Sequence, residues 1–195
     1  GESVFAAETP PEPTPVFNKS DTVKNFRVSA VTYNSVTMTW DAYSCASGYE
    51  IYKASKKSGK YKRIKRTGAT AYKRTKLTTN KTCYYKIRAY VKSGTKYSYC
   101  KFSGALAGKP TLAAPTVKYS AVVDYLTVSW NGISGASGYR LYKASSSNGK
   151  YKLIKTTKAK SYTDKAVSRN ATYYYKVRAY RNSNGKKYGR YSAAI

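Results

Sequence analysis

From Val36 to Trp40 the chain alternates between apolar and polar: Val36, Met38 and Trp40 are separated by Thr37 and Thr39. Leu126, Val128 and Trp130 alternate with Thr127 and Ser129 in the same way. A period of two is the mark of a strand with one buried face, because successive side chains point to opposite sides of a sheet. Tyr49 and Ile51 alternate with Glu50 and Tyr52, which predicts a third strand with Glu50 and Tyr52 on its outer side. Turns at Ser58-Gly59 and Asn148-Gly149 lead into a short strand through Tyr61 and Ile64 in the first case. The longest alternating segment puts Cys83, Tyr85, Ile87 and Ala89 inward, and Tyr84, Lys86, Arg88 and Tyr90 outward. Gly94 and Asn184-Gly185 then turn the chain into a last strand containing Tyr97 or Tyr188. No window of helical period competes.

The pattern occurs twice. Ser47-Gly48-Tyr49 and Ile51-Tyr52-Lys53-Ala54-Ser55 return as Ser137-Gly138-Tyr139 and Leu141-Tyr142-Lys143-Ala144-Ser145, 90 residues on. The same offset relates Gly59-Lys60-Tyr61-Lys62 to Gly149-Lys150-Tyr151-Lys152, and Tyr84-Tyr85-Lys86-Ile87-Arg88-Ala89-Tyr90 to Tyr174-Tyr175-Lys176-Val177-Arg178-Ala179-Tyr180. A duplication this even reads as tandem domains, each with about seven short strands, the count of a β-sandwich. The domains run over 22–108 and 109–195, with the break near Gly108-Lys109-Pro110. Residues 1–21, with Pro10, Pro11, Pro13 and Pro15, read as an extended, disordered tether with no packing pattern. Val4-Phe5-Ala6-Ala7-Glu8 has small-residue spacing like that around a signal-peptidase site, and two readings stay open: the remnant of a removed signal, or the start of a linker. No stretch has the roughly 18 to 20 continuous apolar residues of a membrane span.

A Trp ending the second strand, Gly-Tyr-x-Ile/Leu-Tyr opening the third and Tyr-x-Tyr-x-Val-x-Ala along the sixth resemble the fibronectin type III family in both halves of the chain. The resemblance implies an all-β fold of two tandem immunoglobulin-like, seven-stranded Greek-key sandwiches, each with a three-stranded and a four-stranded sheet. It implies structural roles for Trp40, Trp130 and Tyr173, the last at the family's tyrosine corner, where the first copy has Cys83 instead. The Lys- and Tyr-rich style is similar to modules of secreted or wall-associated proteins of Gram-positive gut bacteria, implying an extracellular or cell-surface location.

Composition narrows the chemistry. There is no His among 195 residues, which removes the commonest general base and metal ligand. Once Glu2, Glu8 and Glu12 are set aside, the five remaining acidic residues are Asp21, Asp41, Glu50, Asp124 and Asp164, scattered over different elements. Only Asp41 with Glu50 could be offered as a carboxylate pair, and a salt-bridged strand end is the simpler reading. No enzyme activity, cofactor or metal site is expected. Cys45, Cys83 and Cys100 read as free thiols, with a Cys45 to Cys100 bridge as the alternative. Asn80-Lys81-Thr82 and Asn170-Ala171-Thr172 fit the glycosylation motif, but an Asn turn entering the sixth strand explains both.

Charge points to a partner. The 37 Lys and Arg against 8 Asp and Glu leave a net +29, and both domains are strongly positive. In the sandwich, outward positions of the larger sheet gather Tyr52, Tyr84, Lys86, Arg88 and Tyr90 in one copy and Tyr142, Tyr174, Lys176, Arg178 and Tyr180 in the other. The neighbouring hairpin adds Lys60, Lys62 and Arg63. Cations interleaved with aromatic rings can hold a polyanion while stacking on sugar faces. No recognition helix, ribonucleoprotein sheet motif or oligonucleotide barrel is visible, so specific nucleic-acid binding is not expected. The expected function is a non-catalytic spacer or adhesion module for an anionic polysaccharide or wall polymer; the alternative is a module docking a protein ligand through loops or a strand edge.

Overall fold

The computed structural model describes residue 1 and residues 3–195. Among them are fifteen strands and no helix: β1 (Arg27–Thr32), β2 (Ser35–Thr39), β3 (Gly48–Ala54), β4 (Lys62–Thr67), β5 (Ala71–Arg74), β6 (Cys83–Ser93), β7 (Lys96–Tyr99), β8 (Leu106–Gly108), β9 (Val117–Val122), β10 (Tyr125–Trp130), β11 (Gly138–Ala144), β12 (Lys152–Thr157), β13 (Ser161–Asp164), β14 (Tyr174–Asn182) and β15 (Lys186–Tyr188). The first module pairs β1-β2-β5 in one antiparallel sheet and β4-β3-β6-β7 in the other. The second repeats this as β13-β10-β9 and β12-β11-β14-β15.

Inward residues from both sheets form one core per module. Val36, Met38, Trp40, Ile51, Tyr85 and Ile87 fill the first, and Val128, Trp130, Leu141, Tyr175 and Val177 the second. Trp40 meets Tyr49 edge-on with centroids 5.5 Å apart, and Trp130 meets Tyr139 at 5.7 Å. The hydroxyls of those two tyrosines accept the Tyr43 and Ile133 N–H groups, so each ring pins the loop before its own strand. Truncating either Trp to Ala would cost about 3–5 kcal/mol, because the cavity adds to the lost burial. The hydroxyl of Tyr173 accepts the Ser168 N–H at 2.9 Å and closes the turn before β14, where the first module has the buried Cys83. Asn80 (φ 62°) and Asn170 (φ 63°) occupy left-handed backbone in matching turns, a conformation Asn tolerates better than most residues. The three cysteines are free.

The last strand of the first module is broken into β7 and β8, both on the β6 edge. Between them the Ser103 hydroxyl accepts the Ile87 N–H and the Cys100 sulfur accepts the Ala89 N–H, so side chains stand where ladder carbonyls would be. Ser192 serves Val177 identically in the second module.

Packing begins before residue 22. Phe17 lies edge-on to Tyr43 at 5.4 Å, and the Tyr43 hydroxyl donates to the Asn18 carbonyl. At the other end of the first module, Tyr33 in the β1–β2 turn packs against the second module's core. Its ring covers Gly135, where a Cβ would come within 2.4 Å of it, and φ is +81°. Arg181 covers the same ring at 4.6 Å and donates to the Gly135 carbonyl. Asn80 adds a bond to the Tyr188 carbonyl at 3.0 Å. Across the joint, then, Asn80 makes a hydrogen bond and Arg181 a cation–π contact, while the Tyr33 ring fills it.

Candidate functional site

The outer face of the larger sheet is built by cross-strand register. Gly48, Glu50, Tyr52 and Ala54 on β3 stand opposite Tyr90, Arg88, Lys86 and Tyr84 on β6. On the other side of β3, Arg66 opposes Glu50 and Arg63 opposes Tyr52. Residues three apart on a regular strand point to opposite faces; a bulge at Ile51/Tyr52 removes that parity and brings both arginines to the same face.

Glu50 lies on the outer side of its strand, as its position in the alternation predicts, yet it is fully buried. Arg63 and Arg66 donate to one carboxylate oxygen, and Arg88 and the Tyr52 hydroxyl to the other. Burial pushes the Glu50 carboxyl up, but the bonds from Arg66, Tyr52, Arg88 and Arg63 together outweigh it and hold the pKa at about 2. An acid already bound by three guanidiniums is a structural anion. Asp41 is exposed and bonded to Asn25, so the two carboxylates belong to different surroundings.

Aromatic rings enclose the central arginine in each module. Arg88 lies 3.6 Å from the Tyr99 centroid, 4.7 Å from Phe102 and 5.3 Å from Tyr52. Arg178 lies 4.2 Å from Tyr188, 4.5 Å from Tyr191 and 5.5 Å from Tyr142. Lys86 sits over Tyr61 at 4.6 Å and Lys176 over Tyr151 at 4.4 Å. Tyr84 and Tyr174 are half-buried at one end of the row, while Lys60 and Lys62 are exposed on the hairpin.

The structure does not leave all of these side chains free. Tyr90 and Tyr180 were expected as outward platforms but are buried, because Gly48 and Gly138 leave a gap into which each hydroxyl lies. Tyr142 is also buried. Arg63 and Arg88 are committed to Glu50. The charge available to solvent is therefore mainly that of the lysines. Arg66 of the basic hairpin and Tyr188 of the last strand also belong to this face; Tyr99, Phe102 and Tyr191 complete it and were not singled out from the sequence. The cue for the buried cluster was that Glu50, the single Glu after the tether, stands on a strand flanked by arginine-bearing strands.

The modules differ at its centre. In the place of Glu50 the second module has Arg140, opposite Arg178 across the strands and 4.7 Å from the same Tyr188 ring. Leu153 and Thr156 stand where the first module has Arg63 and Arg66.

A three-stranded sheet paired with a larger one, of five strands in the first module where β8 joins β6 and of four in the second, occurs twice along the chain and defines a tandem immunoglobulin-like architecture of the fibronectin type III kind. Similar solved structures include the two-domain fibronectin type III segment of chicken tenascin, at 16% identity over 90% of this chain and 99% of that one, with a TM-score of 0.46. The chicken interferon gamma receptor alpha chain is 14% identical over 90% of this chain and 96% of that one, with a TM-score of 0.51; this is a likeness of fold. Among curated proteins, exoglucanase B of Cellulomonas fimi is 28% identical over 193 residues, 87% of this chain. The chain spans 16% of that protein's length. No family model matches.

Proposed function

We propose that the two modules are a non-catalytic extracellular spacer that adheres to an anionic polysaccharide or wall polymer through the lysine- and tyrosine-rich sheet faces. The observation carrying this reading is the row of Lys86, Arg88 and their rings, repeated at Lys176 and Arg178, in a chain with 37 cations and 8 acids. So large an excess cannot be neutralised internally, and it attracts polyanions at long range. The likeness to a stretch of a bacterial exoglucanase fits an accessory module in a longer secreted protein.

The test is binding of the whole chain to purified Gram-positive walls with and without teichoic acid, across a salt series. The comparison variant changes Lys60, Lys62, Lys86, Lys150, Lys152 and Lys176 to Ala. It leaves Arg88 in place, because removing that residue would expose Glu50 to loss of a partner. Binding that needs the polymer, falls with salt and drops in the variant supports the reading; binding indifferent to all three overturns it. One observation favours a second reading, a protein ligand added to the β9 edge. That strand ends its sheet, and Tyr119, Val122, Val123 and Tyr125 on and beside it are exposed. Salt-insensitive capture lost on changing Tyr119 and Val122 to Lys would support it.

A further inference from the structure

Away from the sheet face, the two modules differ at a second equivalent place. In the second module Asp164 is buried at the end of β13, where one carboxylate oxygen accepts from Lys143 at 2.7 Å and from the buried Tyr175 hydroxyl at 2.8 Å. The other accepts the Ala166 N–H. Stepping back 90 residues, Lys143 becomes Lys53, Tyr175 becomes Tyr85, and Asp164 becomes Arg74. Ala166 and Ala171 become Lys76 and Lys81, and Tyr173, whose ring sits under Lys143, becomes Cys83.

The carboxylate has gone and the surroundings have become more positive. Lys53, Arg74, Lys76 and Lys81 line a cleft of about 170 Å³ together with Cys83 and Tyr85. None of the four forms an ion pair among the described residues, and no acid lines the cleft. The Tyr85 side chain is fully buried, and its hydroxyl accepts a long bond from Arg74 at 3.4 Å, leaving its own hydrogen to donate. Cys83 lines this cleft at the position where the second module carries the larger Tyr173. Lys76 is held at φ 56°, a left-handed conformation that a lysine adopts at a cost. Four converging cations without a counter-charge repel one another, and a multiply charged oxyanion removes that repulsion while accepting from guanidinium, ammonium and hydroxyl together.

We propose that the cleft between β5 and β6 of the first module, formed by Lys53, Arg74, Lys76, Lys81 and the Tyr85 hydroxyl, binds a phosphate group. The second module, with an internal carboxylate and no charge excess at the equivalent place, does not. The site uses none of the sheet-face residues, so it stands or falls separately from the adhesion reading.

The experiment is a titration of the full chain with inorganic phosphate and, in a second arm, with a short poly(glycerol phosphate), followed by the NMR signals of the Arg74 Nε–H and the amides of residues 76–83. Arg74→Asp supplies the carboxylate the second module already has, next to Lys53 and Tyr85, and is expected to fold. It should weaken phosphate binding by about tenfold or more. Lys76→Ala with Lys81→Ala, also the second module's residues, should weaken it by a similar factor, while Lys86→Ala with Lys176→Ala on the outer sheet face should leave these shifts unchanged. Saturable shifts in either arm that disappear in Arg74→Asp support the site, and the arms separate free phosphate from a polymer phosphodiester. Absence of shifts in both, or shifts that persist in Arg74→Asp, overturns it.

Discussion

Replacing Glu50 by Gln keeps the shape of the side chain and removes the one negative charge beneath three guanidinium groups. The folded carboxyl titrates at about 2 against an ordinary 4.5. At about 1.36 kcal/mol for each pKa unit, that gap would stabilise the fold by roughly 3 kcal/mol in a dry cluster. The Arg63 side chain is 47% exposed and that of Arg66 33%, so water screens part of the attraction and about 2 kcal/mol is expected. Because the folded pKa is depressed, this stability is fully present above pH 4.5 and is lost as the pH falls towards 2. The assay is urea unfolding of wild type and Glu50→Gln across that range, read by Trp40 fluorescence in a Trp130→Phe background. The difference between the two isolates Glu50 from Asp164, which titrates in both. Wild type should exceed the variant by about 2 kcal/mol at pH 7 and converge with it near pH 2. A gap of the same size at both pH values would refute the reasoning, since it would place the cost in packing rather than in charge.

Three further outcomes are expected. Tyr175→Phe takes one donor from the buried Asp164 carboxylate and should cost about 1–2 kcal/mol by urea unfolding. It should also raise the acid midpoint of the second module, because burial pushes the Asp164 carboxyl up while the bonds from Lys143, Tyr175 and Ala166 hold it below the ordinary carboxylate value. Tyr173→Phe removes the acceptor for the Ser168 N–H and should cost about 1 kcal/mol, with no counterpart effect in the first module. Gly135→Ala places a Cβ against the Tyr33 ring at a φ of +81°, so calorimetry should show a loss of about 1–2 kcal/mol or more and less coupling between the two unfolding transitions. An unchanged calorimetric profile would mean that the ring does not hold the joint.

Strand positions were legible because alternation, turn residues and a 90-residue repeat all agreed. The outward row of Tyr52, Lys86 and Arg88 followed from parity alone. Parity also misled. Arg63 and Arg66 reach the same carboxylate only because of a bulge, which leaves no mark in the alternation. Tyr90 occupies an outward position and is buried because its cross-strand neighbour is Gly48, a fact about pairing rather than about either segment. Glu50 looked like a strand-end acid because exposure was read from one strand, whereas its burial comes from arginines on two others. The basic cleft was equally hidden: Lys53, Arg74, Lys76 and Lys81 lie on different segments, and only comparison with Asp164 shows what the first module lacks.

The seating of Tyr33 under Arg181 and over Gly135 bears on which polymer the chain would prefer. A joint closed by a ring, rather than by a loose linker, sets a pitch between the basic faces of the two modules. In the proposed adhesion, a polymer held by one face would meet the second as an intramolecular partner, with avidity that depends on whether its charge repeat matches that pitch. Selectivity among polyanions of equal charge density would thus reside in a tyrosine that touches none of them.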